Sequence, residues 1–247
     1  MARFKINSDF SHLENFLLDI KLNFQKNQDS IHKARNEIKI LKHDDLNITA
    51  KSFKVPNFFN RLVYSFFRKS KAKKSYLHAI KVDDFTPKPI GYIEFYENFL
   101  LNESYFISEY FEYDFTIREP LLDKNFRNKD EIFRAFARFT IALHEKNIFH
   151  KDFSPGNILV KQKDEEYIFK IVDINRMKFQ TLSFNLRAKS FSKLWANDED
   201  LKTVSSEYAK IYGVDEELFT KKTLYYSHQL KKKMNFKKRL KGERVVD

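Results

Sequence analysis

One stretch narrows what this chain can fold into more than any other. It is His150-Lys151-Asp152-Phe153-Ser154-Pro155-Gly156-Asn157, of the form H-x-D-x-x-P-x-N, set between a helical pattern and an apolar strand pattern. Upstream, Lys129 to Lys146 reads as an amphipathic helix, with Asn128 and Glu131 as a capping box and Ile132, Phe136, Phe139 and Leu143 as the buried stripe. Downstream, Asn157 to Lys161 carries the apolar run Ile158-Leu159-Val160, an acidic turn follows at Asp164 to Glu166, and Tyr167 to Val172 reads as a second strand. Asp173 then follows Ile171-Val172, sixteen residues after Asn157. An H-x-D near an Asn is cheap by chance, whereas the whole constellation in this order is not. The two strands put Asn157 and Asp173 on neighbouring strand ends, and Pro155-Gly156 supplies the turn that aims Asn157.

This constellation resembles the catalytic loop and metal-binding aspartate of the protein-kinase-like fold. The resemblance implies transfer of the γ-phosphoryl group of ATP. Such a transfer needs an acceptor hydroxyl held in line and a carboxylate that orients it and takes its proton, the role expected of Asp152. The triphosphate calls for Mg²⁺, a hard ion that wants oxygen ligands, and Asn157 and Asp173 are the expected metal ligands. His150 is expected to be an architectural hydrogen-bonder beneath the loop.

The rest of the chain reads as a small α/β lobe ahead of a helical lobe. Ser11 and Glu14 form a capping box for a first helix, with Phe10, Leu13, Phe16, Leu17, Ile20 and Phe24 on one stripe. Ser30 to Lys33 and Glu37 to Leu41 read as a hairpin, and Leu46 to Phe53 as a third strand with Asn47, Thr49 and Lys51 on one face. Phe58 to Val82 reads as helical, in one or two pieces. Two strands follow, near Ile90 to Tyr96 and Tyr105 to Phe111, joined by a loop around Asn98 to Glu103. The expected class is α+β: a two-lobed protein-kinase-like fold with a five-stranded N-lobe, one main helix in it, and a helical C-lobe. The expected boundaries are a helical extension over 1–29, the N-lobe over 30–112, and the C-lobe over 113–247 with a basic tail. Within this fold Lys51 stands where kinases carry the strand lysine that contacts the α- and β-phosphates, with Lys54 as the alternative. By the same resemblance, the strand at Ser108 to Phe111 is expected to supply backbone groups for adenine, at Glu109 and Phe111.

The chain departs from the kinase pattern in three places. The turn Ala34-Arg35-Asn36, where kinases have a glycine-rich loop, contains no glycine. The Arg35 side chain is expected to substitute for the missing amide contacts, the alternative being a solvated turn residue. The metal motif reads Asp173-Ile174-Asn175 in place of D-F-G. From Leu46 to Val82 there is no acidic residue, and Ser75 occupies the position expected for the helix Glu that pairs with Lys51. Either Glu37 or another carboxylate substitutes, or Lys51 pairs only with nucleotide phosphates.

Three further pieces narrow the family. Ala50-Lys51-Ser52-Phe53-Lys54-Val55-Pro56, then Arg68-Lys69-Ser70-Lys71-Ala72-Lys73-Lys74-Ser75-Tyr76, then Thr86-Pro87-Lys88-Pro89-Ile90-Gly91-Tyr92 resemble the Kdo/WaaP lipopolysaccharide kinase family. The resemblance runs over about residues 30 to 185. It implies phosphorylation of an inner-core sugar, Kdo or heptose, on a lipid A-linked oligosaccharide at the cytoplasmic membrane face, with ATP and Mg²⁺. The family usually carries a Glu where this chain has Ser75.

Charge distribution supports the same substrate class. The chain carries a net charge of +12, which favours an anionic partner. Residues 46–82 hold nine Lys or Arg, no acid, and an interleaved set of aromatics that includes Phe58, Phe59, Tyr64, Phe66 and Phe67. Such a surface suits an anionic lipid headgroup region, where each Lys or Arg is worth ~1 kcal/mol. Lys231-Lys232-Lys233 and Lys237-Lys238-Arg239 in the tail offer a second contact. Basic and aromatic residues also describe RNA-binding surfaces, but that reading leaves the His150 to Asn157 loop without a purpose, so no nucleic-acid partner is expected. With no cysteine, a disulfide-stapled fold, a thiolate zinc site and a cysteine nucleophile are excluded. The start, MARFKINSDF, has no apolar h-region, so the expected location is cytoplasmic, peripheral at the inner face of the plasma membrane. Rivals to a lipopolysaccharide kinase are a kinase of a small soluble or protein hydroxyl, and a nucleotide-binding pseudokinase scaffold, which the missing helix Glu supports.

Overall fold

Alternation accounts for the central strand of the N-terminal half: Ile48 and Ala50 are buried on one face, while Asn47, Thr49 and Lys51 lie on the other, together with Phe53, which is buried in a separate cluster with Tyr76 and Tyr92. The computed structural model describes residues 1–27, 30–33, 36–243 and 245, so Arg35 lies outside the described residues. The chain divides into two units, Met1–Glu112 and Tyr113–Asp247.

The first unit runs β1 (Ala2–Ile6), a short 3-10 helix (Ser8–Leu13), α1 (Glu14–Leu18), α2 (Ile20–Lys26), β2 (Ser30–Lys33), β3 (Asn36–His43), β4 (Leu46–Phe53), α3 (Phe58–Phe66), α4 (Lys71–Val82), a 3-10 turn (Asp83–Phe85), β5 (Pro89–Glu97) and β6 (Leu100–Glu109). Its strands form one six-stranded sheet in the order β1-β5-β6-β4-β3-β2, antiparallel throughout. All five expected strands are present. The sixth, β1, was not expected: it is a short, largely exposed edge strand paired with β5 from Ala2↔Phe95 to Ile6↔Gly91, with only five residues to carry its alternation. Gly91 is needed there, because a Cβ at that position would lie 2.8 Å from the Lys5 carbonyl oxygen.

The N-terminal helix differs in the same region. Ser11 and Glu14 do not form a capping box; Asn7 caps the 3-10 helix instead, and the helical stretch is broken into three pieces. The stripe itself holds. Phe10, Leu13, Phe16, Leu17, Ile20 and Phe24 pack against Ile48, Ala50, Ile90, Ile93, Tyr105 and Ile107 of the sheet. The stretch from Phe10 to Phe24 is thus part of the first unit's core. Buried Lys39 clamps the end of α2 by donating from Nζ to the Phe24 and Asn27 carbonyls (2.9 and 2.6 Å), the cation-to-helix-C-terminus arrangement that the helix dipole favours. The expected loop after β5 is a tight turn: Asn98 and Phe99 both have positive φ (49° and 62°), which lets β6 begin at Leu100.

The second unit runs β7 (Phe115–Thr116), α5 (Arg118–Leu122), α6 (Lys129–Glu145), β8 (Ile148–Phe149), β9 (Ile158–Lys163), β10 (Glu166–Ile171), β11 (Lys178–Phe179), α7 (Phe184–Ser190), α8 (Asp198–Tyr212) and α9 (Glu216–Leu240). Its core gathers around α6, α8 and α9, where Tyr208 stacks on Phe219 (5.0 Å between centroids) and meets Phe191 edge-on (5.3 Å). α6 lies where its periodicity puts it, but Asn128 adopts a left-handed conformation with no side-chain cap, because an N-cap bond needs the extended backbone that Asn128 lacks. The C-terminal basic residues continue α9 as far as Leu240. Among the described residues no helix is long and apolar enough to cross a membrane.

Inside this core a polar chain runs from Arg187 to Tyr208 to His144. Arg187 Nη1 donates to the Tyr208 hydroxyl (2.9 Å), which lies 2.9 Å from His144 Nδ1, so the hydroxyl proton is available to the ring nitrogen. Burial, with the Arg187 charge adding to it, pushes His144 down from 6.5 to about 3. Below 6.5 the unfolded chain binds a proton that the folded chain refuses, so stability falls as pH falls. The loss from this residue is about 3 kcal/mol at about pH 4.5. Urea unfolding followed from neutral pH to about pH 4.5 is expected to show that slope, and His144→Gln, which still accepts from Tyr208, is expected to flatten it. An unchanged slope in His144→Gln would contradict this assignment.

Candidate active site

Two short strand pairs in the second unit hold the loops that carry the sequence motif. β8 pairs with β11 (Phe149↔Lys178), and β9 pairs with β10 (Ile158↔Ile171). The loop 150–157 and the loop 172–177 therefore leave one pair of adjacent strands and arrive at another, and each is pinned at both ends beside its neighbour. The strands form here because Ile158, Val160, Phe169 and Ile171 are buried.

Hydrogen bonds then tie loop to loop. The Val172 N–H donates to the Asn157 carbonyl (2.9 Å), extending the β9–β10 ladder by one step, so Asp173 is the first residue beyond the last rung. His150 bridges the other side: its Nδ1 accepts the Asp152 N–H (3.0 Å), which makes Nε2 the proton-bearing nitrogen that donates to the Val172 carbonyl (3.0 Å). Burial lowers the His150 pKa, against the Val172 carbonyl and the Asp173 and Asp152 charges, in keeping with a neutral ring. His150 is the architectural group expected of it. Phe153 is buried beneath the loop, stacked on Phe136 (5.6 Å) and tilted against the His150 ring (5.8 Å).

The side chains above this frame have defined settings. Asn157 Nδ2 donates to the Asp152 carbonyl (2.9 Å), which fixes the amide and makes Oδ1 its remaining donor atom for a ligand. Asp173 sits in the left-handed region (φ 56°, ψ 43°), which aspartate tolerates, and its Oδ1 accepts from Asn175 Nδ2 (2.8 Å). The Asp152 carboxylate, partly exposed, lies 3.3 Å from Arg176 Nη1. The donor set suits a hard cation: one carboxylate and one amide oxygen, on backbone segments joined by a hydrogen bond. Among the described residues no group of three or more His, Cys, Asp or Glu gathers as a metal site.

Two residues near the loop were not singled out from sequence. Arg176 follows Asp173 by three positions and reaches Asp152. Arg118, on α5, lays its guanidinium over Gly156, where an added Cβ would lie 2.6 Å from Nη2. Only the proximity of Arg176 to Asp173 in the chain was visible; Arg118 is brought in by the fold.

Lys51, Glu109 and Phe111 belong to the first unit. Lys51 lies mid-strand, across from Ile38 and Phe106, with Nζ 5.5 Å from the Phe53 ring centre. Ser75 is buried on α4 and donates to the Lys71 carbonyl of its own helix (3.0 Å), so it is satisfied locally. Glu37 accepts from Ser30 Oγ (2.5 Å) and lies 3.6 Å from Lys39 Nζ. At the end of β6, the Glu109 N–H donates to the Lys88 carbonyl and the Tyr110 N–H to the Asn47 carbonyl (both 2.9 Å).

Comparison with known proteins agrees with this frame. No curated protein sequence matches the chain. Among solved structures, one described as WaaP in complex with acyl carrier protein matches with a TM-score of 0.57 over 92% of this chain and 99% of that chain; at 12% identity this is a likeness of fold. The family model described as the lipopolysaccharide kinase (Kdo/WaaP) family matches residues 86–212, a span that takes in Glu109, Phe111, Asp152, Asn157 and Asp173 but not Lys51. With more than half its length matched, and with a mixed antiparallel-sheet and helical architecture similar to that of WaaP, this chain belongs to the lipopolysaccharide kinase (Kdo/WaaP) family and is a phosphotransferase.

Proposed function

We propose that the protein uses ATP and Mg²⁺ to phosphorylate a hydroxyl of an inner-core sugar, Kdo or heptose, on a lipid-linked lipopolysaccharide precursor at the cytoplasmic membrane face. The observation that carries the site assignment is the Val172–Asn157 backbone bond, which sets the amide of Asn157 and the carboxylate of Asp173 on adjoining chain segments beside Asp152. In this reading Asp152 orients the acceptor hydroxyl and takes its proton. Asn157 and Asp173 hold Mg²⁺, which when bound neutralises phosphate charge. Lys51 contacts the nucleotide phosphates. Adenine is met by the Glu109 carbonyl and the Phe111 amide, since the Glu109 N–H is already engaged by Lys88. The family's lipopolysaccharide substrate and the chain's basic surface favour a membrane-linked acceptor over a soluble one.

Incubation with labelled ATP, Mg²⁺ and a panel of acceptors separates the possibilities. Label on lipid A-linked Kdo or heptose oligosaccharide, and none on aminoglycosides or casein, is the expected result. Label only on a small soluble or protein acceptor would overturn the substrate, and nucleotide binding without any labelled product would overturn turnover itself.

A further inference from the structure

Of the nine residues of α3, none is buried. The helix is fastened to the sheet by a narrow polar seam: Arg61 Nε donates to the Leu101 carbonyl (2.8 Å), and the Leu101 N–H donates to Ser65 Oγ (2.8 Å). Asn57 Oδ1 caps its start by accepting from the Asn60 N–H (3.0 Å). Such a seam positions the helix without covering its apolar face. Phe58 is 68% exposed, Phe59 73%, Phe66 63% and Phe67 83%, with Leu62 and Val63 half-buried between them. A folded domain does not leave four neighbouring phenylalanines in water without a use for them.

The surroundings of the helix select the partner. Lys54, Arg68 and Lys69 flank it and are exposed, and residues 46–82 contain no acid. Beside the helix lies a recess of about 400 Å³ lined in part by Phe53, Lys54, Asn57, Tyr64 and Lys71, wide enough for a headgroup and bordered by two cations. A second copy of the chain would have to bring this basic face against itself in a two-fold contact, with like charges opposed. An apolar helix face rimmed by cations matches the boundary layer of a bilayer with anionic headgroups.

We infer that α3 is a membrane-docking helix that lays Phe58, Phe59, Phe66 and Phe67 into the headgroup–acyl boundary of an anionic phospholipid bilayer, with Lys54, Arg68 and Lys69 on the headgroups. The inference extends the reading that the acceptor is lipid-linked, and it gives the enzyme a fixed orientation on the surface where that acceptor resides. α3 lies outside the catalytic loop, so docking and chemistry are separable.

The full-length protein is to be mixed with vesicles of phosphatidylglycerol and phosphatidylethanolamine in equal parts, and with phosphatidylcholine vesicles, and followed by flotation. Binding to the anionic vesicles only, weakening steeply with added salt, is expected. Phe58→Ser with Phe59→Ser, and Phe66→Ser with Phe67→Ser, are each expected to weaken it about tenfold or more, and Arg68→Gln with Lys69→Gln to reduce its salt dependence. The same variants are expected to keep the wild-type melting temperature and the wild-type transfer rate to a delipidated Kdo oligosaccharide. Phe66→Trp, the second measurement, is expected to shift its emission to the blue on anionic vesicles and to be quenched by brominated acyl chains. Equal binding to phosphatidylcholine, unchanged binding by the serine variants, an unshifted Phe66→Trp emission, or loss of self-association or of RNA binding in place of vesicle binding would each overturn the inference. Vesicle docking with no transfer to any sugar acceptor would instead overturn the substrate reading and leave the docking helix standing.

Discussion

Asp152→Asn is expected to lower phosphoryl transfer by about 10²–10⁴-fold while leaving Mg-ATP affinity within about threefold. The reason lies in which atoms of Asp152 hold the loop. Its N–H donates to His150 Nδ1, and its carbonyl accepts from Asn157 Nδ2 and the Ser154 N–H, so the backbone and not the carboxylate carries the scaffold. An asparagine keeps all of these bonds and the shape of the side chain, and removes the capacity to take a proton. The substitution also weakens the partly exposed ion pair with Arg176. Such a pair is worth about 0–1 kcal/mol, so the melting temperature is expected to stay near that of the wild type. Labelled-ATP turnover, fluorescent-nucleotide titration and thermal melting together check this. Unchanged turnover removes Asp152 as the proton acceptor.

The second large effect is expected at Asp173. Replacement by Ala or Asn should abolish the Mg²⁺-dependent part of nucleotide binding. In the wild type, Mg-ATP at ~100 times its dissociation constant is expected to raise the melting temperature by about 5–10 °C. In Asp173→Asn that rise is expected to shrink to the one ATP gives without Mg²⁺. Asn is the better control because Asp173 has φ 56°, a conformation that asparagine shares and alanine does not, so Asp173→Ala adds a backbone penalty of about 1–2 kcal/mol unrelated to metal. A Mg²⁺-dependent stabilisation that persists in Asp173→Asn would remove this carboxylate from the metal site.

Much of the fold and of the candidate site was legible because it is written locally. The loop His150 to Asn157 and the strands after it occupy one continuous stretch, and the short β9–β10 hairpin brings Asn157 beside Val172 without any distant element. The strand Leu46–Phe53 likewise shows its buried face as an alternation along its own length. What escaped depends on partners far away in sequence. β1 does alternate, with Ala2, Phe4 and Ile6 against Arg3 and Lys5, but over five largely exposed residues that signal is too short to stand alone, and its pairing partner is β5, some ninety residues later. The capping boxes at Ser11 and Asn128 satisfy a four-residue pattern, but Ser11 lies inside a 3-10 helix capped by Asn7, and Asn128 is left-handed with no side-chain cap. Arg118 lies over Gly156 because β7 pairs with β9, a contact that no spacing rule anticipates. Sequence pattern points to an aromatic and basic surface over residues 46–82, but the degree of exposure of each α3 phenylalanine emerges only from the fold.

The claim on which the account turns is that Asn157 and Asp173 grip one divalent cation next to Asp152. Electron paramagnetic resonance of Mn²⁺, titrated into the protein with a non-hydrolysable ATP analogue, reads that grip directly. The account predicts a bound Mn²⁺–nucleotide signal in the wild type and in Asp152→Asn, and a loss of about tenfold or more in affinity in Asn157→Ala and in Asp173→Asn. Undiminished Mn²⁺ binding in those last two variants would contradict it.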